Sequence, residues 1–181
     1  MGVLREDLLQ GRAVVVAPGA ADALAVALAA LGARVERLDA LLEPAEEQVG
    51  ECARARGPLD ALVYDAAQAF GAGGPDAVAR TMEEAWLLIR EVALGTLIES
   101  PDPGRIVLIG PPAAAGEYAE AARSALENLA RTLSIEWARY AITVVMVAPG
   151  ELVSEPELAE LVSFLCSPGA EYFSGCRLDL G

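Results

Sequence analysis

Residues 118–150, YAEAARSALENLARTLSIEWARYAITVVMVAPG, read as one amphipathic helix running into one buried strand. Ala122, Ala125, Leu126, Leu129 and Leu133 recur at helical spacing and form a continuous apolar stripe. The period changes after Trp137 and the Ala138-Arg139-Tyr140 step. Residues 142–148 are a β-branched run, the pattern of a parallel strand covered on both faces, and Pro149-Gly150 ends it. A helix feeding a buried strand is half of a βαβ unit.

The rest of the chain repeats that unit. Strands are expected at 11–17, 33–39, 59–65, 106–109 and 176–180, and helices at 20–31, 44–56, 75–99 and 155–166. Gly32 suits the C′ position of the first helix and Pro44 the first turn of the second. Residues 66–74, rich in alanine and glycine, read as a loop, and Pro101-Asp102-Pro103-Gly104 as a turn. Strands alternating with helices predict an α/β fold, doubly wound and Rossmann-like. Its mainly parallel sheet would have about six strands, with helices on both faces. At 181 residues this is a single domain, 1–181, long enough to bury a core.

Composition narrows the function classes. Hydrophobic residues make up 54% of the chain, too many for disorder, yet no apolar run approaches the ~20 residues of a bilayer span. Residues 1–6 lack the basic start and apolar core of a signal peptide, so a cytoplasmic protein is expected. A net charge of −14 repels phosphate backbones and anionic lipid heads, which argues against nucleic acid and membranes as partners. Cys52, Cys166 and Cys176 have no close spacing, and there is no histidine, so neither a disulfide framework nor a metal centre is expected.

The order of elements and several motifs resemble the short-chain dehydrogenase/reductase family. The motifs are Gly57-Pro58-Leu59-Asp60-Ala61-Leu62-Val63, Gly104-Arg105-Ile106-Val107-Leu108-Ile109 and Ser124-Ala125-Leu126. They continue with Val147-Ala148-Pro149-Gly150, Glu155-Pro156-Glu157-Leu158 and Ser174-Gly175-Cys176-Arg177-Leu178-Asp179. The resemblance implies a dinucleotide held at a glycine-rich turn after the first strand, with its pyrophosphate at the following helix N-terminus. Here that turn is Ala17-Pro18-Gly19-Ala20-Ala21-Asp22: Gly19 is its one glycine, Pro18 removes a donor and Asp22 brings a negative charge. Asp39, about 20 residues after Gly19, stands where an acid grips the adenosine ribose; it would favour NAD over the 2′-phosphorylated form. The family's Asn-Asn-Ala-Gly motif is replaced by Tyr64-Asp65-Ala66-Ala67, of which Ala66 survives.

The resemblance also implies a tyrosine acid/base, a lysine four residues later, a serine and an asparagine. Those positions carry Ala119, Arg123, Pro111 and, near the last, Thr81. Tyr118 is the one substitute acid, although one residue on a helix turns it about 100° from the family's position. Arg123 is the candidate anion holder, as in the dehydrogenase-related halohydrin dehalogenases, or else a surface or ion-pair arginine. The segment that closes over substrate in the family is short here, because Glu155 starts a helix soon after Gly150.

These readings order three expectations. The first is a protein of this fold without catalysis or a cofactor, acting as a structural, regulatory or partner subunit. It would be a homo-oligomer, or pair with a related subunit, through helices 75–99 and 118–139; Met82, Trp86, Ile89, Val92, Ala93 and Leu97 on the first exceed what one sheet face needs. The second is a divergent NAD-dependent oxidoreductase using Gly19, Asp39 and Ala66 for the cofactor and Tyr118 as acid. The third is a nucleotide-independent lyase or dehalogenase using Arg123.

Overall fold

The computed structural model describes residues 4–17, 22–38 and 57–181. The helix expected at 44–56, the Pro18-Gly19 turn, Asp39 and Cys52 lie outside the described residues.

Six parallel strands form one sheet in the order β2-β1-β3-β4-β5-β6. They are β1 (Ala13–Ala17), β2 (Arg34–Arg37), β3 (Ala61–Asp65), β4 (Arg105–Ile109), β5 (Thr143–Pro149) and β6 (Arg177–Leu180). Every residue of β1 and β4 is buried, as are the first four of β3, whereas the edge strands β2 and β6 are mostly half-buried. That gradient explains the sequence pattern. Inner strands of a parallel sheet have no solvent face, so their apolar runs are continuous, while the edges carry Arg34, Glu36, Arg37, Arg177 and Asp179.

Helices cover both faces. On one, α1 (Asp22–Ala30) and α5 (Glu155–Leu165) pack Leu24, Leu28, Ala159, Val162 and Leu165 onto Val14, Val16, Val63, Val107 and Val145. On the other, α3 (Pro75–Val92) and α4 (Ala119–Glu136) pack Leu88, Ile89, Leu126 and Leu133 onto Val15, Leu62, Ile106 and Val144. Each fully buried Leu, Ile or Val contributes roughly 1.5–3 kcal/mol. Ser154 begins α5 with a capping box, its Oγ accepting from Glu157 N–H and Glu157 Oε2 accepting from Ser154 N–H at 2.9 Å.

Three local features depart from the sequence expectation. Residues 66–74 hold a short helix, α2 (Ala66–Phe70), because Asp65 caps it and Phe70 is fully buried. The helix expected at 75–99 is α-helical only to Val92, then runs as π-helix over Ala93–Leu97, where the Thr96 hydroxyl donates to Val92 O at 2.8 Å. The apolar excess read on that helix is smaller than expected. Ile89, Val92, Ala93 and Leu97 are fully buried sheet-facing core, and only Trp86, joined by Leu87 and Leu94, lies exposed.

Candidate functional site

The sheet order reverses between β1 and β3, so β1 leads one way to β2 and β3 the other way to β4. In open α/β sheets, ligands bind in the crevice beyond the carboxyl ends of the strands at this switch point. Ala17 pairs with Tyr64 in register, so Asp65 stands at the mouth of the crevice.

On the β1 side, Asp22 opens α1 and its carboxylate pairs with the Arg37 guanidinium at the end of β2. A carboxylate in the first turn is favoured by the helix dipole, the same field that would hold a phosphate. The chain thus places its own anion at that helix end. Gly19 and Asp39, the other residues proposed for a cofactor, lie outside the described residues.

On the β3 side, Tyr64 is fully buried and its hydroxyl donates to the Thr81 carbonyl at 3.2 Å, closing the space between β3 and α3. Burial, with the charges of Glu84 and Asp65, raises the Tyr64 phenol far above the neutral range, so it holds its proton. Asp65 accepts from Ala67 N–H at 2.9 Å and caps α2; burial raises its carboxyl and the cap bond lowers it in part. Ala66 is fully buried at the start of α2. Thr81 is fully buried and its hydroxyl has no hydrogen-bond partner among the described residues.

Beyond β4 and β5 lies the segment where the resemblance places the reacting groups. Ala119 is 2% exposed and packs with Phe70, Ala77 and Ala122 in a small apolar cluster, with Val78, Ala115 and Tyr118 at its margin. Tyr118 is the residue before α4, half-buried against that cluster. Arg123 is 5% exposed, so it is not the surface arginine of the expectation, whereas the ion-pair alternative is met by Glu120. Its Nε donates to Pro111 O at 2.7 Å and its Nη2 to Pro149 O, so it ties the end of β4 to the end of β5. Glu120 Oε2 lies 3.8 Å from Arg123 Nη1. Burial lowers the guanidinium pKa, and Glu120 acts in the opposite sense.

Gly110 makes this packing possible. A Cβ there would collide with Met146 Cε and stand 3.1 Å from Arg123 Cγ. The arginine stem therefore lies across the β4 backbone just before Pro111. The structure brings Arg123, Pro111 and Pro149 together; it does not bring Tyr118 into hydrogen-bond contact with Arg123.

The sequence placed Tyr64 and Asp65 at the family's motif without giving them a role, and it did not single out Arg37. Arg37 meets Asp22 only because β2 lies beside β1, a neighbour relation that spacing does not carry. Tyr64 reads as one more residue of a strand until its hydroxyl is placed. Asp65 did carry a signal, since an aspartate directly before an alanine-rich stretch is an N-cap pattern. Among the described residues, no group of three or more His, Cys, Asp or Glu could hold a metal ion, and no helix is long and apolar enough to cross a membrane.

No protein-family model matches the chain, and no curated protein matches it by sequence. Solved structures do match. A short-chain dehydrogenase from Mycobacterium smegmatis superposes with a TM-score of 0.80 at 18% identity, covering 100% of this chain and 96% of that one. The citronellol catabolism dehydrogenase AtuB of Pseudomonas aeruginosa PAO1 gives 0.79 at 22% identity, covering 99% and 97%. A Beutenbergia cavernae protein described as an NAD(P)-dependent gluconate 5-dehydrogenase, solved with NADP at low occupancy, gives 0.75 at 23%, covering 97% of each. The chain has the short-chain dehydrogenase/reductase fold.

Proposed function

We propose that this protein is a non-catalytic form of the short-chain dehydrogenase/reductase fold, working as a structural, regulatory or partner subunit. The observation that carries the reading is Arg123 with Ala119. The position of the family's lysine holds a buried guanidinium engaged by two backbone carbonyls, and the position of its tyrosine is a methyl group packed under Phe70. Tyr118, half-buried at the margin of the Ala119 cluster, makes no hydrogen bond to Arg123 among the described residues, and Tyr64, at the end of β3, is held protonated by burial. The described residues also do not fit a dinucleotide. Asp22, paired with Arg37, sets a carboxylate at the helix end where a pyrophosphate would lie, and Asp65 spends its carboxylate on capping α2.

The subunit would assemble through the outer faces of α3 and α4. Trp86 and Leu87 on the first, Leu94 on the π-helical turn that follows it and Ile135 on the second are large apolar side chains with more than a third of their surface exposed. One outward stripe of α4, Ala121, Ser124, Asn128, Thr132 and Ile135, carries no charge, although Glu120, Arg131 and Glu136 are exposed beside it. Two copies would approach along that stripe. Light scattering at micromolar concentration tests this, with a dimer or larger assembly expected; a monomer would overturn the assembly role.

A second reading, an NAD(P)-dependent oxidoreductase of divergent chemistry, draws support from the fold of the NADP-bound Beutenbergia cavernae protein. It requires the Asp22–Arg37 pair to open and a proton donor other than Tyr64.

A further inference from the structure

Arg105 is the first residue of β4, so it lies at the amino end of the sheet, opposite the switch-point crevice. Strand alternation sets its side chain on the face where Val107 and Ile109 pack. It is 3% exposed. Its Nε donates to Ser167 O at 3.4 Å and its Nη1 to Gly104 O at 3.0 Å. Nη2 donates to nothing among the described residues, yet, unlike Arg12 Nε, it is not sealed from solvent.

A buried cation is ordinarily paired, because carbonyl dipoles alone do not replace the water it loses. The other buried arginine, Arg123, has Glu120 at 3.8 Å, whereas no carboxylate among the described residues forms an ion pair with Arg105. Its surroundings sharpen that imbalance. Arg12 brings a second positive charge close by, and the Arg12 carboxylate, Asp60, is 3.7 Å from it and already accepts from Ala13 N–H at 2.7 Å. Burial and Arg12 lower the Arg105 pKa, while Glu171, an exposed residue, acts in the opposite sense.

Arg105 lines an open cavity of about 490 Å³ together with Thr143, Ser174, Ala138, Ala141 and Ile142. That volume falls within the range of roughly 300–1,000 Å³ usual for small-ligand sites. Ser174 Oγ accepts from Val144 N–H at 3.3 Å, which leaves its own proton to donate. Ala141, at φ +56°, is the one non-glycine residue with positive φ among the described residues, and such backbone strain collects at binding sites.

We propose that this cavity binds a small monocarboxylic acid, with its carboxylate on Arg105 Nη2 and the Ser174 hydroxyl and its aliphatic body along Ala138, Ala141 and Ile142. The class follows from charge and surface. A guanidinium N–H and a hydroxyl offer one donor to each oxygen of a carboxylate. One unpaired cation with Glu171 also lining the cavity suits a single negative charge and disfavours a dianion such as phosphate. Apolar side chains along the remaining wall favour an aliphatic body over a second polar group.

The test titrates the full chain with sodium hexanoate and follows amide and arginine Nε shifts by NMR, with hexanol and inorganic phosphate as controls. Hexanoate should give saturable shifts at Arg105, Thr143 and Ser174 at millimolar concentration, and neither control should. Glu171→Gln removes a like charge from an exposed position and should tighten hexanoate about threefold. Ala138→Phe fills the cavity while leaving the hydrogen bonds of Arg105 in place, and should weaken hexanoate about tenfold. Arg105→Gln should abolish the shifts; the other two variants carry the test should it not fold. An absence of saturable shifts, hexanol or phosphate binding as well as hexanoate, or an affinity unchanged in Glu171→Gln or in Ala138→Phe would overturn the proposal.

Discussion

The carboxyl ends of β3, β4 and β5 and the outer faces of α3 and α4 lie on one fold but treat their side chains in opposite ways. At the strand ends, polar groups are turned inward and bonded to backbone: the Tyr64 hydroxyl to Thr81 O, the Asp65 carboxylate to Ala67 N–H, the Arg123 guanidinium to Pro111 O and Pro149 O. On the helix faces, Ile135 and Leu94 are largely exposed and Trp86 and Leu87 partly so. A group already bonded to its own backbone offers a substrate little, whereas exposed apolar area is free energy available to a partner. On the proposed reading, the strand ends serve stability and the helix faces serve interaction.

The sharpest way to break that contrast is Arg123→Met. The substitution fills the same channel but leaves two carbonyls unbonded, and a loss of about 3 kcal/mol is expected from chemical denaturation. A stability unchanged from the parent would mean the guanidinium is not structural and is free for an anion. On the helix faces the expectation reverses. Leu94→Glu should leave the stability of the single chain within about 0.5 kcal/mol yet weaken association about tenfold by light scattering. Thr81→Val removes a hydroxyl that is buried without a partner and should stabilise by roughly 1 kcal/mol; a loss instead would show that the hydroxyl has a partner the structure does not record.

The smallest effect is a dependence on pH. Burial raises the folded-state pKa of Asp65 above the ordinary aspartate value, so the folded chain binds the proton more tightly than the unfolded one. Its contribution is complete below the unfolded value and is lost as pH rises through the raised folded value. Glu120 has the opposite sign, because its hydrogen bond with Arg177 lowers its carboxyl; its contribution is present above the ordinary glutamate value and lost as pH falls through the lowered one. Asp65→Asn keeps a cap oxygen while removing the charge. It should therefore gain on the parent as pH rises through the Asp65 window and hold that gain above it.

How much of this was legible in the sequence follows from the range of the forces involved. The β-branched runs at β1, β4 and β5 and the 3.6-residue stripes of α3 and α4 are local patterns, and they account for the six-stranded parallel sheet with helices on both faces. The losses at Ala119 and Pro111 were also legible, since a missing hydroxyl is a fact of composition. What fills the space was not. Phe70 sits in a stretch that spacing makes a loop, and its burial depends on Ala119 and Ala122, some fifty residues away. Arg123 reads as a surface arginine because charged residues are seldom buried. Its two carbonyl partners come from the ends of two different strands, and only the folded register brings them together.

The account stands most directly on a calorimetric titration of the protein with NADH and with NADPH. On the proposed reading it gives no saturable heat up to millimolar cofactor, because Asp22 sets a carboxylate at the helix end where a pyrophosphate would lie and Arg123 is already engaged by Pro111 O and Pro149 O. Saturable binding of either nucleotide at micromolar concentration would contradict it and establish the oxidoreductase reading in its place.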